Sequence, residues 1–451
     1  VLLLSANAFM GAFHVLILHI SDIHFKRGEA GSQMDPNHHL RNELVRDAGE
    51  QCKALGAPPD AVLISGDIAF SGDEEEYAFA QSWFEDLCAA CRCETSAIFV
   101  IPGNHDVQRG VAKKPLVQAL HKDIKDTESH LRHSKLTGFL TDEDTGRQLY
   151  APISNFNDFA AQYFCDLLPP DRTKVERQFV LNDGSALRVT GLNSAFVSSH
   201  TDTERSLFVD PAGFTITNEE GITHLVLCHH PYNWLANGQE LADHLNTVAK
   251  IQLFGHEHTS RIDLNRDWVR VAASAAHPDK TERGWEPGYN LLELSVGLHE
   301  GQRKLNVKAH VRVWQQRPGQ FIAKMDGKVD HFAQSIPLEP WERPEKQLPN
   351  ADAGDDKNVV AQVPEEAAIE EDTSMTSLRT LSIKFFKLTF SQRLAIAGGL
   401  SLFEETDTKL PDHERFRRVL LRARDRHLLA ELESEIDRVA QPTASTVEKE
   451  Q

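Results

Sequence analysis

Short apolar runs and amphipathic stretches alternate through the first hundred residues, and their order predicts β-α-β-α-β. Residues 15–20 are mostly apolar, as a strand buried on both faces should be. Leu40, Leu44 and Ala48 follow at helical spacing within residues 40–55. Residues 61–64 form a second buried strand, ending at Gly66-Asp67. Residues 74–90 read as a helix whose broad apolar face carries Tyr77, Ala80, Trp83, Phe84 and Leu87. Residues 97–101 are a third strand, ending at Pro102-Gly103-Asn104-His105. A polar motif thus stands at the carboxyl end of each strand, where open α/β sheets bind ligands.

The pattern loosens after that. Residues 107–180 are charged and mixed, and they predict a helical cap or insertion. Strands resume at 186–192, 224–228, 251–254 and 268–272, with further candidates at 291–296 and 305–313. Residues 339–372 hold eleven Asp or Glu against three Lys or Arg, with several prolines. Such a composition buries too little apolar surface to offset its ordering entropy and reads as a flexible linker. Helical periodicity then returns, through Phe416, Val419, Leu420 and Ala423 and again through Leu428, Leu432, Ile436 and Val439. The expected organisation is a catalytic domain over 10–335, an acidic linker over 336–375, and a small all-α adaptor domain over 376–441.

A chain of 451 residues suits one large domain with an appendage. Its net charge of −19 argues against non-specific binding along a nucleic-acid backbone. It leaves nuclease chemistry open, because a bound metal reverses the local sign. Six cysteines in so long a chain are not a disulfide scaffold. Cys88, Cys91 and Cys93 lack the paired spacing of a zinc site and read as the end of the amphipathic helix. No apolar run reaches the roughly 18 residues that suggest a membrane span. Residues 1–9 read as an extension and not as a signal peptide, so the expected location is cytoplasmic.

The chemistry lies in five clusters: Asp22-Ile23-His24, Gly66-Asp67, Gly103-Asn104-His105-Asp106, His229-His230-Pro231 and Gly255-His256-Glu257-His258. Together they offer the hard oxygen and borderline nitrogen ligands that two adjacent divalent ions need. Such a pair, roughly 3.5–4 Å apart, clamps the attacking and leaving oxygens of a phosphate ester. Asp67 is the natural bridge, since a carboxylate has two oxygens and Gly66 permits close backbone approach. Asp22 and His24, two apart in extended chain, share a side.

In these motifs the chain resembles the calcineurin-like metallophosphoesterase superfamily, over about residues 14–315. The resemblance implies a four-layer α/β fold, two packed mixed sheets flanked by helices, with a dinuclear centre of manganese, iron or zinc. It implies that Asp22, His24 and His258 hold one metal, that Asn104, His229 and His256 hold the other, and that Asp67 bridges them. A metal-bridging hydroxide would be the nucleophile. His105 would stand near the leaving group and Asp106 would orient it. His230 becomes a second-layer or substrate-facing group, Asn193 a candidate substrate contact and Trp234 a candidate pocket wall.

The motifs look more like the cyclic-nucleotide and glycerophosphodiester phosphodiesterases than like protein phosphatases. Two other readings stay open. One is a nuclease, with Lys113, Lys114, Lys122, Lys125, Arg132 and Lys135 as a basic groove. The other is a bacterial signalling or defence protein whose residues 376–441 recruit a protein partner.

Overall fold

The computed structural model of the chain describes residues 14–33, 35–278, 285–343 and 365–440, with side chains from 375 onward in the last stretch. They divide into two compact units, one within 1–156 and 167–345 and the other within 157–166 and 346–451. The strands run in chain order as β1 (Val15–Ile20), β2 (Ala61–Ile64), β3 (Ile98–Val100), β4 (Lys174–Val180), β5 (Ala186–Leu192), β6 (Ile222–Cys228) and β7 (Ala249–Phe254). They continue as β8 (Arg261–Leu264), β9 (Val269–Ala272), β10 (Gly288–His299), β11 (Gln302–Gln316), β12 (Gly319–Ala323) and β13 (Phe332–Pro337).

All thirteen belong to the first unit and form two mixed sheets. One runs β12-β11-β10-β1-β2-β3, with β13 also paired to β11. Its parallel part is β1-β2-β3, and β10 lies antiparallel to β1 with His19 opposite Asn290. The other runs β4-β5-β6-β7-β9-β8, parallel in the middle and antiparallel at both edges. The two sheets pack closely face to face. A Cβ on Gly191 of β5 would lie 2.4 Å from Ile101, just beyond β3, so only glycine fits there. The helices Glu74–Cys91 and His38–Leu55 pack on each other, and Asp73 with Glu76 closes a capping box at the start of the former.

The expected insertion ends sooner than residue 180. Helices Pro115–Asp126, Ser129–Thr141, Glu143–Tyr150 and Ser154–Ala160 are followed by strand β4. That strand carries Lys174, Glu176 and Gln178 on an edge of the second sheet, so its pattern does not read as core. The insertion shares a core with the second sheet, where Leu136, Leu140 and Leu149 join Phe196, Phe208 and Val226.

Of the expected linker, residues 344–364 lie outside the described ones, as do residues 1–9. The described parts on either side are ordered. Residues 332–337 are β13, and the chain is helical from Glu365 onward, where Glu and Ala are strong helix formers. In the second unit the helices Glu365–Phe386, Phe390–Gly399, Asp412–Asp425 and Leu429–Ala440 enclose Phe385, Phe416, Leu420, Leu432 and Ile436. Phe164 joins that core, and Asp166 pairs with Arg417 at 2.7 Å, so residues 157–166 belong with these helices and not with a cap. Among the described residues no helix is long and apolar enough to cross a membrane.

Candidate metal centre

The five clusters converge at the carboxyl ends of the central strands. Asp22 follows β1, Asp67 follows β2 and Asn104 follows β3; His229 follows β6, and His256 and His258 follow β7. Both sheets therefore contribute to one site. The turns that achieve this are strained. Asp22, His24, Asp67, His256 and His258 all have positive φ, between 53° and 70°, a region costly for residues with a Cβ. Gly66 has a φ of 97°, and a Cβ there would lie 2.6 Å from His229 Nδ1, so the Gly66-Asp67 step needs glycine on both counts.

The side chains meet at ligand distances. His258 Nε2 is 3.2 Å from Asp22 Oδ1, and His24 Nε2 and His229 Nε2 are each 3.3 Å from Asp67 Oδ2. Asn104 Oδ1 is 3.0 Å from both His229 Nε2 and His256 Nδ1. Ligand atoms of Asp22, His24 and His258 lie within 4.8 Å of one another, as do those of Asp22, Asp67 and His229. Second partners fix the orientations. His229 Nδ1–H donates to the Ser65 carbonyl at 2.7 Å, which turns Nε2 to the centre. Asp67 Oδ1 accepts the His105 amide at 2.7 Å.

The electrostatics suit a cation. Burial opposes charge on Asp22 and Asp67, but neighbouring histidines outweigh it and hold both carboxyls below the usual range. Burial, aided by the charge on His229, pushes His256 down to about 4 and His230 well below its ordinary value. The pocket thus pairs two ionised carboxylates with a neutral imidazole at His256, the protonation states that ligands need. His229 is the exception. Burial disfavours its charge, yet Asp67 and Asp22 raise it to about 9. A proton held there marks a place where positive charge is favoured. Asp22 Oδ1 is buried and faces His258 Nε2 at 3.2 Å, an oxygen and a nitrogen donor side by side. The donor set fits one or two divalent ions.

His105 is half-buried beside this centre, its ring 4.7 Å from that of His24. Its Nδ1 is 2.8 Å from the Phe70 carbonyl, which can only accept, and 3.1 Å from Arg109 Nη2, which can only donate; the shorter contact puts the proton on Nδ1 and leaves Nε2 as the other functional nitrogen. Arg109 Nη2 donates to the same carbonyl at 3.2 Å, with its guanidinium 4.9 Å from the Phe70 ring centre.

The expectation that Asp106 orients His105 fails. Its carboxylate instead accepts from the amides of Gly103 (2.9 Å), Ala69 (2.9 Å) and Ile68 (3.3 Å) and from Tyr77 Oη (3.0 Å). Burial and the nearby Asp67 raise its carboxyl to about 7. Asp106 ties the Asp67 loop to the Asn104 loop, and the Phe70 carbonyl orients His105. Asp106→Ala is therefore expected to cost about 3 kcal/mol or more in urea unfolding, since buried donors left unsatisfied cost roughly 1–3 kcal/mol each. The ratio of aryl-ester to alkyl-ester rates should stay at the wild-type value; a changed ratio would mean that Asp106 acts through His105 after all.

A cavity of about 320 Å³ adjoins the centre, lined by Asn104, His105, Arg109, His200, His230, Trp234 and His256 among others. Trp234 thus lines it. His230 donates its amide to Ser194 Oγ at 3.2 Å, and its Nδ1 is 2.8 Å from the same hydroxyl. Its Nε2 is buried and finds no protein partner. Asn193 does not line the cavity: its Oδ1 accepts from the Ala195 amide at 3.0 Å in a strand-end turn. Arg109, His200 and the Phe70 carbonyl escape a sequence reading. Only the position of Arg109, four residues after His105 at the start of a helical turn, gives a hint.

A family model described as calcineurin-like phosphoesterase matches residues 15–260. A second, described as a GTPase-associated adaptor domain, matches residues 377–438. The chain is similar to the glycerophosphodiester phosphodiesterase GpdQ of Enterobacter lignolyticus, 36% identical over 97 residues. That match spans 20% of this chain and only 30% of the relative. Among solved structures, Vacuolar Protein Sorting 29 from Cryptosporidium parvum is 14% identical, with 72% of this chain and 100% of that one covered at a TM-score of 0.29. GAP50, the anchor in the inner membrane complex of Plasmodium, is 8% identical, with 73% and 90% covered at a TM-score of 0.36.

Proposed function

The chain belongs to the calcineurin-like phosphoesterases, and from that premise we propose that it is a phosphodiesterase working through two metal ions. Metal-dependent hydrolysis of phosphoesters is the family's chemistry. The dinuclear reading rests on one observation above the rest: ionised Asp22 and Asp67 and the Asn104 oxygen meet the imidazoles of His24, His229, His256 and His258 at the strand ends. Asp22, His24 and His258 would hold one ion, Asn104, His229 and His256 the other, and Asp67 would be shared. Manganese, iron and zinc all suit this mixture of nitrogen and oxygen donors. When bound, the pair would supply hydroxide at neutral pH and neutralise charge on the phosphoryl oxygens.

The chain's own groups complete the reaction. Hydrolysis forms a bond from water oxygen to phosphorus and breaks the ester P–O bond, leaving an alkoxide that needs a proton. His105, held through Nδ1, has Nε2 to deliver one. Because burial lowers its pKa, that charged form relies on the nearby Asp67 carboxylate and on the bound phosphate. His230, with Nδ1 against Ser194, has Nε2 to offer a neutral phosphoryl oxygen contact. Arg109 adds a fixed cation at the cavity wall.

A small diester is favoured over a polymer. The cavity is of small-molecule size. Much of the basic segment is neutralised, with Lys122 paired to Asp126, Lys125 to Asp202 and Lys135 to Asp123. The similarity to a glycerophosphodiester phosphodiesterase points the same way. The test is a screen of the manganese-loaded protein against aryl phosphomonoesters, aryl phosphodiesters, cyclic nucleotides and single- and double-stranded nucleic acid. Diesters should be turned over fastest. A preference for monoesters or for nucleic-acid polymers would overturn the assignment.

The second unit supports a further role, recruitment of a protein partner, because residues 377–438 match an adaptor family associated with GTPases. Phe390 and Leu394 are exposed one helical turn apart. The full chain carrying Phe390→Asp and Leu394→Asp should lose a GTPase that the wild type captures and keep aryl-diester turnover. Undiminished capture would exclude this face.

A further inference from the structure

A second group of metal-ligand side chains lies outside the cavity, on the first sheet. His310 sits in β11 where that strand changes partners, between the stretch paired to β13, which ends at Ala309, and the stretch paired to β12, which begins at Arg312. The connection from β12 to β13 returns to this point. Lys324 donates its amide to the Val311 carbonyl, Asp326 and Val329 close a tight turn, and Asp330-His331 follow. Ligand atoms of His310, Asp330 and His331 all lie within 4.8 Å of one another, and the two imidazole rings are 5.3 Å apart.

The hydrogen bonds prepare these groups for a cation. His310 Nε2 is 2.6 Å from Glu293 Oε1. A carboxylate on one ring nitrogen is the arrangement that orients a metal-ligating histidine, and it leaves Nδ1 as the lone pair. His331 Nδ1 is 3.0 Å from Asp330 Oδ1, so that contact is held by a proton which a metal can replace or which leaves Nε2 free to bind. His310 and Glu293 are 16% and 17% exposed, and Asp330 is 69% exposed, so the site has a sheltered floor and an open mouth.

We propose that His310, Asp330 and His331 form a separate mononuclear site for a zinc-class divalent ion, which ties the 324–331 turn to β11. Two imidazoles, one carboxylate and water make up a four-coordinate shell of the kind zinc accepts. Glu293 is the outer carboxylate that sets the His310 ring. The site is distinct from the catalytic centre, since no member of the trio lines the cavity.

The test uses the full-length protein equilibrated with zinc by dialysis at fixed free concentration, followed by elemental analysis. Wild type should hold one ion per chain more than His310→Ala or His331→Ala. That difference is independent of how many ions the catalytic centre holds, so the result stands whether or not the dinuclear reading does. Aryl-diester turnover should be unchanged in both variants, and the zinc-dependent rise in Tm should be larger in wild type than in either variant. His331→Gln and Asp330→Asn, which preserve size, serve if the alanine variants fold poorly. Equal zinc content in wild type and these variants would overturn the proposal.

Discussion

Asp67→Ala is expected to leave a folded protein that has lost at least one ion and nearly all hydrolysis. The residue accepts His24 and His229 on one carboxylate oxygen and the His105 amide on the other. Its removal takes away the only ligand the two proposed ions share. Losing the charge stabilisation that metals supply, several kcal/mol, corresponds to a fall of about 10³-fold or more. Elemental analysis should show the missing metal, and circular dichroism should show the fold retained. Asp67→Asn keeps one oxygen and the contact to the His105 amide, so it should fall less far. Full activity in a metal-replete Asp67→Ala protein would be incompatible with a shared bridging ligand.

His105→Ala should behave differently. Metal content should be unchanged, because none of the six non-bridging positions assigned to ions involves this residue. Turnover should fall by roughly 10²–10⁴-fold, the usual contribution of a general acid. The fall should be largest for alkyl esters, whose leaving oxygen most needs a proton, and smallest for nitrophenyl esters. Equal losses across both classes would recast His105 as an electrostatic stabiliser. A drop in metal content would instead place it among the ligands.

The candidate ligands were legible because their chemistry is local to strand ends. A buried strand announces itself as an apolar run, and the residue after it must turn, so Asp22, Asp67 and Asn104 stood at predictable places. What was not legible depends on contacts distant in the chain. The Phe70 carbonyl that holds His105 carries no side-chain signal, and the job expected of Asp106 went to it. Asp106 turned to backbone amides 37 and 38 residues away, which spacing cannot show. Edge strand β4 carries polar residues on both sides and edge strand β8 has only four residues, so both escape a search for core. The union of residues 157–166 with the C-terminal helices is invisible from composition, since Phe164 and Asp166 find their partners about 250 residues on, at Phe416 in the shared core and at Arg417.

The most direct test of the central claim is the rate of bis(p-nitrophenyl) phosphate hydrolysis by metal-stripped protein, before and after manganese is returned. Metal-dependent diester hydrolysis at this centre predicts that the stripped protein turns over at about a hundredth of the loaded rate or less and that manganese restores it. Hydrolysis at the full rate by verified metal-free protein, or no diester hydrolysis after loading, would contradict it.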